Sequence, residues 1–360
     1  MSFEEEDFRL LKNLTEIQSC SGNEVKIRDF IKKTVESFCD RIETDILGNL
    51  FCFLDGQAKG EKLTILLDAH ADENGFMIRY VDKNGFLRFH KVGGQNPRIL
   101  PGQIVTVHSS SGEDIIGVIG EKPIHLIQQE ERKKTSKLDD LFIDIGMPNA
   151  EEAKKYVAVG DYITLKQDFT PFKGNKRMFA KAFDDRAGCF VLIKLIMELS
   201  QMKEKLDKNL VFLFASQEEI GVRGATVGAY KISPDIAVVV EVTHAIDFPG
   251  ISKEKHFDCS LGSGVSISVG PNIFPKVSKF MIDTAKEEKI PYVLEPEPRP
   301  TATDARAIQM TKAGIPCAIV SVPLRYMHTN VETIEYQDLL HLKNLIKAFL
   351  LKDLNSTLNL

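Results

Sequence analysis

The sequence predicts an α/β fold in which a parallel-rich sheet flanked by helices is interrupted by a small all-β, barrel-like insertion. Three observations predict it. Apolar runs of buried-strand length alternate with helical periodicity at both ends of the chain. Between them lies a stretch of short alternating runs separated by tight-turn signals. The chain is also long enough, at 360 residues with 43% hydrophobic content, to bury a large core shared by two domains. The expected division assigns residues 1–73 and 167–360 to the α/β domain and 74–166 to a β-rich insertion.

Taken in order, "SCSGNEVKIRDFIKKTVESF" carries Ser21 and Glu24 at capping-box spacing, followed by Ile27, Phe30, Ile31, Val35 and Phe38 along one helical face. Strands are expected around Asn49 to Leu54 and Lys62 to Asp68, the second running into "DAHADENGF". In the insertion, "FMIRYVDKNGFLRFHKV" turns at Asn84-Gly85 and "QIVTVHSSSGEDIIGVIG" at Ser111-Gly112, both hairpin signals. The charged run "QQEERKKTSKLDD" reads as an exposed loop, and "VGDYITLKQDF" closes the module. "KAFDDRAGCFVLIKLIMEL" then opens an apolar helix near Ala187, and strands follow at Leu210 to Ala215, Ile236 to Val242 and Cys317 to Val322.

Composition narrows the function. A net charge of -5, with Lys+Arg 46 against Asp+Glu 51 and no long basic run, gives no electrostatic footprint for nucleic acid or an anionic membrane. The acidic opening "MSFEEEDFRLLKNL" is unlike a secretory signal, and no segment approaches the roughly 18 to 20 apolar residues of a membrane span. Six scattered cysteines without a C-x-x-C pair read as reduced thiols, so the expected setting is cytoplasmic and the expected partners are small molecules or peptides.

Chemistry gathers where strands end. "FASQEEIGVRGA" places Glu218 and Glu219 side by side after an apolar run, at a bend supplied by Gly221 and Gly224. His70 with Asp72, Asp184 with Asp185, Glu241 and His328 occupy comparable places. Each alone has an ordinary reading: a solvated strand end, a helix N-cap before Arg186, a loop histidine. Converging on one sheet edge, they would repel one another unless cations sat between them. Imidazole and carboxylate suit zinc, cobalt or manganese, and the absence of cysteine favours a catalytic over a structural site. Two such ions about 3.5 to 4 Å apart make a hydrolytic centre.

In order and spacing, "DAHADENGFMI", "AKAFDDRAG", "ASQEEIGVRGA", "VEVTHAIDFPG" and "TATDARAIQMTKAGIPCAIVSVPLRYMHTNVE" resemble the M42 family of dinuclear metalloaminopeptidases. "SGNE" and "IDIGMPNAEEA" extend the likeness over essentially the whole chain. The resemblance implies that His70, Asp184 and Glu241 hold one divalent metal, while Glu219, His328 and the same Asp184 hold the other. It implies that Asp72 hydrogen-bonds His70, that Glu218 is the general base, and that the Asp184-Asp185 peptide is cis. It also implies short peptide substrates, dimers built through the insertion, and further assembly into twelve-subunit shells. Where the family string reads D-V-T-H-A this chain has Glu241, whose extra methylene must be absorbed locally. Thr303-Asp304 and Arg325-Tyr326 match family positions as well.

Two rivals stand beside an aminopeptidase. Another metal-dependent hydrolase is one; some family members carry an endoglucanase label, and a deacylase-like activity belongs to the same class. A glycosidase, however, needs carboxylates about 5 to 10 Å apart flanking a sugar, which adjacent glutamates do not naturally supply. A non-catalytic metal-stabilised scaffold is the other, and it has no use for an acid beyond the ligands.

Overall fold

The computed structural model describes residues 3–57, 62–126, 137–174 and 176–354. The chain begins with helices α1 (Phe3–Glu16) and α2 (Val25–Val35) and strands β1 (Arg41–Thr44), β2 (Leu50–Leu54) and β3 (Thr64–His70). Six short strands follow: β4 (Gly75–Val81), β5 (Leu87–Val92), β6 (Ile104–His108), β7 (Asp114–Gly120), β8 (Phe142–Asp144) and, after the one-turn helix α3 (Ala150–Ala153), β9 (Tyr162–Leu165). Next come β10 (Thr170–Pro171), β11 (Arg177–Ala180), α4 (Phe183–Ser200), β12 (Asn209–Ala215), α5 (Arg223–Ile232) and β13 (Ile236–His244). The chain ends with β14 (Val265–Val269), α6 (Pro275–Glu287), β15 (Tyr292–Pro296), α7 (Ala305–Ile308), β16 (Cys317–Arg325), β17 (Glu332–Glu335) and α8 (Tyr336–Leu351).

An eleven-stranded sheet runs β1-β2-β12-β3-β13-β16-β17-β11-β10, with β14 joined to β16 and β15 to β14. Its centre is parallel: β12, β13 and β16 run with β3 or with one another, so their carboxyl ends share one edge. Alternation then sorts side chains between the two faces. Ile65 and Leu67 of β3, Leu210 and Phe212 of β12 and Val238 and Val240 of β13 pack in one core cluster with α1, α2, α4 and α8. Leu66, Val211, Leu213 and Val239 pack in the other with α5 and α7. His70 and Glu241 have the parity of this second face and stand just where the strands stop. That is the edge at which open α/β sheets bind ligands.

The six short strands close into a barrel, β4-β5-β8-β7-β6-β9, around Phe76, Phe89, Val105, Val107, Ile143 and Ile163. The β4-β5 turn carries Gly85 and the β6-β7 turn Gly112, both at positive φ, as the two hairpin signals require. Most of the charged run 128–140 lies outside the described residues; its end, Leu138–Asp140, forms a single 3-10 turn. All six cysteines are free. Among the described residues no helix is long and apolar enough to cross a membrane.

One local expectation fails. Ser21 and Glu24 do not form a capping box: α2 begins at Val25 without a side-chain cap. Their oxygens are spent instead on the functional site. The Ser21 hydroxyl donates to Asp72 Oδ2 at 2.5 Å, and Glu24 Oε1 accepts from the backbone N–H of Gly22 at 2.6 Å and of Gln217 at 3.1 Å.

Candidate active site

The Glu218-Glu219 turn is fixed from below by four successive backbone N–H groups. Ser216 donates to Asn49 Oδ1 at 2.9 Å, Gln217 to Glu24, Glu218 to Asp72 Oδ1 at 3.0 Å and Glu219 to Asp72 Oδ2 at 3.2 Å. The two glutamate side chains line the cavity. Gln217 and Val222, at φ of 56° and 50°, hold the left-handed conformation that lets the chain turn from β12 into α5. Asp72 thus anchors this turn as well as standing behind His70, whose Nδ1 lies 3.4 Å from Asp72 Oδ1 and 3.3 Å from its carbonyl oxygen.

The structure brings all five proposed ligands together. One ligand atom each from His70, Asp184 and Glu241 lies within 4.8 Å of the others, and the same holds for Asp184, Glu219 and His328. Asp184 belongs to both groups: its Oδ1 is 3.0 Å from His70 Nε2 and its Oδ2 is 3.2 Å from His328 Nε2. The Asp184-Asp185 peptide is cis, as the resemblance implies. Glu241 absorbs its extra methylene by curling back, so that Oε2 accepts the N–H of Val242 at 3.2 Å. Glu218 belongs to neither group, and its Oε2 lies 4.0 Å from His70 Nε2.

Each imidazole is aimed by its other nitrogen. His328 Nδ1 donates to the Gly94 carbonyl at 2.7 Å, which turns Nε2 toward the cluster. Burial and mutual repulsion push the acids up: Glu218 to about 9, Glu219 to about 7, Glu241 well above the usual range. His328 is desolvated by burial, yet Asp184 and Glu219 raise it to about 10, and His70 is likewise held protonated by Asp184 and Asp72. Without a cation the cluster limits its negative charge by taking up protons. A pair of divalent cations would replace those protons and free both imidazoles as ligands, so the donor set fits such a pair.

Several residues escaped the sequence reading. Glu332, 1% exposed, accepts the N–H of Asp184 at 3.0 Å and the N–H of His328 at 2.7 Å, tying two proposed ligands to one carboxylate. A buried Lys181-Glu73 ion pair at 2.7 Å packs nearby, and Glu73 also accepts the N–H of Ser19. The barrel contributes Gly93 and Gly94: a Cβ on Gly94 would lie 2.7 Å from His328 Nδ1, and one on Gly93 would lie 3.0 Å from Glu219 Oε2. Gln95 bonds Asn74, which donates to Glu219 Oε1 at 3.1 Å. Of the further positions that the resemblance matched, Asp304 is fully buried beside Asp68; burial and the Asp68 charge push its carboxyl well above the usual range, and burial raises Asp68 to about 7. Arg325 clamps Asp247 at 2.8 and 2.5 Å, and Tyr326 packs on Phe248. The glycine pair closing a strand and the acid four residues after His328 are the signals that could have pointed to two of these sites.

The five proposed ligands and Glu218 open into a cavity of about 790 Å³ at the carboxyl edge of the sheet. Acids and imidazoles at that edge are the donor set of a metal-dependent hydrolase. The chain belongs to the M42 family: the model described as M42 glutamyl aminopeptidase matches residues 48–345. A lysyl aminopeptidase of Pyrococcus furiosus is 33% identical over 96% of this chain and 96% of its own. A TET aminopeptidase from a marine-sediment thaumarchaeote superposes with a TM-score of 0.93 at 31% identity, covering 99% of both chains. The TET1 peptidase of Pyrococcus horikoshii, which can assemble into a tetrahedron or a large octahedral shell, gives 0.83 at 32% identity over 95% of this chain and 98% of its own.

Proposed function

We propose that this protein is a dinuclear-metal aminopeptidase that releases N-terminal residues from short peptides. The observation that carries the reading is a pair of ligand groups sharing Asp184, with one further carboxylate, Glu218, beside them and in neither. His70, Asp184 and Glu241 would hold one ion, and Asp184, Glu219 and His328 the other, zinc, cobalt or manganese being the ions these donors suit. When bound, such a pair supplies Lewis-acid polarisation of the scissile carbonyl and lowers the pKa of water.

The protein's own share is positioning and proton transfer. Glu218 takes the proton of the attacking water and delivers it to the leaving amine, the work of a general acid-base residue. Burial and the neighbouring acids push this carboxyl up to about 9 even beside His70, and the positive charge of two bound ions would bring it down toward a working range. Asp72 keeps the glutamate turn and His70 in register, and Glu332 does the same for Asp184 and His328. The free α-amine of a peptide meets an anionic cluster, which confines cleavage to the first bond.

The assembly reading rests on the barrel. Residues 74–166 serve as a dimerisation domain, supported by Ile104, Ile116 and Val118, which stand exposed on the adjoining strands β6 and β7 with Ile104 opposite Val118. Assembly of the Pyrococcus horikoshii relative points the same way. The free thiols suit a cytoplasmic setting.

The test is chelation followed by add-back. Aminoacyl p-nitroanilides should be hydrolysed by the metal-loaded protein, left intact after exhaustive chelation, and hydrolysed again on reconstitution, while N-acetylated versions stay intact throughout. Full activity with no metal by elemental analysis would refute the reading.

A further inference from the structure

Beyond the proposed ligands the cavity extends across the sheet as a trough. Glu241 on β13 pairs in register with Ser321 on β16, and Ser321 with Ser266 on β14. The next strand, β15, carries Glu295, whose Oε2 accepts the Ser266 hydroxyl at 2.7 Å while its Oε1 accepts the Thr243 hydroxyl at 2.6 Å. Glu295 stands opposite Ser268 on β14, and its carboxylate reaches back across β16 to Thr243, two residues beyond Glu241 on β13. Small side chains, Ser321 and Ser268, and the apolar Ile319 line the space between.

Two carboxyl groups line this wall of the cavity. Glu295 is held by two hydroxyl donors that use one lone pair on each oxygen, which leaves acceptor capacity facing the cavity. Glu297, two residues on and half-buried on the same wall, makes no hydrogen bond or ion pair through its carboxylate among the described residues, and burial beside Glu295 raises its pKa. Arg306 is the single lysine or arginine among the lining residues; it is exposed and pairs with neither glutamate. The cavity is also the entrance to the hydrolytic centre, so a substrate side chain has to enter it.

We propose that Glu295 and Glu297 form a subsite for a cationic side chain and that the enzyme prefers peptides beginning with lysine or arginine. The inference rests on the aminopeptidase reading and deepens it. The aliphatic stem packs on Ile319, and the ammonium or guanidinium meets the two carboxylates on the cavity wall. A neutral leucine desolvates the pair without compensating it, and a glutamate is repelled.

The experiment compares kcat/KM for the p-nitroanilides of lysine, arginine, norleucine, leucine and glutamate on the metal-loaded enzyme. Norleucine has lysine's stem without its charge. Lysine should exceed norleucine by about tenfold or more, with glutamate poorest, and Glu295→Gln and Glu297→Gln should each lower the lysine-to-norleucine ratio by about tenfold. Added salt should narrow the ratio in the wild type. Lysinamide should inhibit the wild type more tightly than norleucinamide, a comparison that needs no variant to fold. Best turnover of norleucine, leucine or glutamate, a ratio unmoved in both folded variants, or equal inhibition by the two amides would overturn the subsite and leave the aminopeptidase standing. Hydrolysis of none of the five would overturn both.

Discussion

The carboxyl edge of the sheet and the loop that leaves barrel strand β5 face the same cavity, and they contribute in opposite ways. The edge supplies charge: His70, Glu218, Glu219, Glu241 and His328 converge because β3, β12, β13 and β16 end together, and Asp184 joins them from the first turn of α4. The barrel loop supplies no ligand. It supplies absence, two residues without a Cβ, and one backbone carbonyl that orients His328. A site of this kind is built where strand ends concentrate charge, and it is completed by a neighbour that can approach closely because it carries nothing there.

If the edge is where the chemistry lies, the largest loss follows from its shared residue. Asp184→Asn removes a ligand from both groups and should cut kcat/KM by about 10³-fold or more, with fewer than two metals retained by elemental analysis. Retention of both ions at full rate would end the account of Asp184 as the bridge. Glu332→Gln comes next. An amide can accept from one of the two N–H groups that Glu332 now serves and turns its own donors toward the other. Metal affinity should fall about 10- to 100-fold, read by competition with a fluorescent chelator. Unchanged affinity would place Glu332 outside the ligand scaffold.

A substitution in the barrel loop sharpens the contrast. Gly94→Ala puts a methyl against the His328 ring, so His328 must shift, and metal binding should weaken by about tenfold while the fold persists. No change by the same competition assay would show that the loop is only a neighbour. The smallest effect on turnover should come from the outer barrel wall, where Ile116→Asp should dissociate dimers or larger assemblies, measured by light scattering, with metal content unchanged. Intact assemblies would remove the barrel's proposed role.

The sequence reveals the edge more readily than its supports. Runs such as Leu210 to Ala215 announce their strands by composition, and the acids following them stand out because charge is costly there. Ser21 and Glu24 show the limit. Their spacing fits a helix cap, yet their bonds go to Asp72 and Gln217, 51 and 193 residues away, and no local pattern encodes such a partner. Gly94 is similar, since its reason lies in a histidine 234 residues further on. Glu332 is hidden differently: it serves backbone N–H groups, which every residue has, so only its place four residues after His328 marks it.

Adjacency makes Glu218 and Glu219 the most direct test of the central claim, two glutamates on one turn with different jobs. Metal content and kcat should be measured side by side for Glu218→Gln and Glu219→Gln. The account predicts that Glu218→Gln keeps two metals per chain while kcat falls by about 10² to 10⁴, beyond rescue by excess metal. It predicts that Glu219→Gln loses metal and regains part of its rate when metal is supplied in excess. Wild-type turnover in Glu218→Gln, or two tightly held metals and full rate in Glu219→Gln, would contradict it.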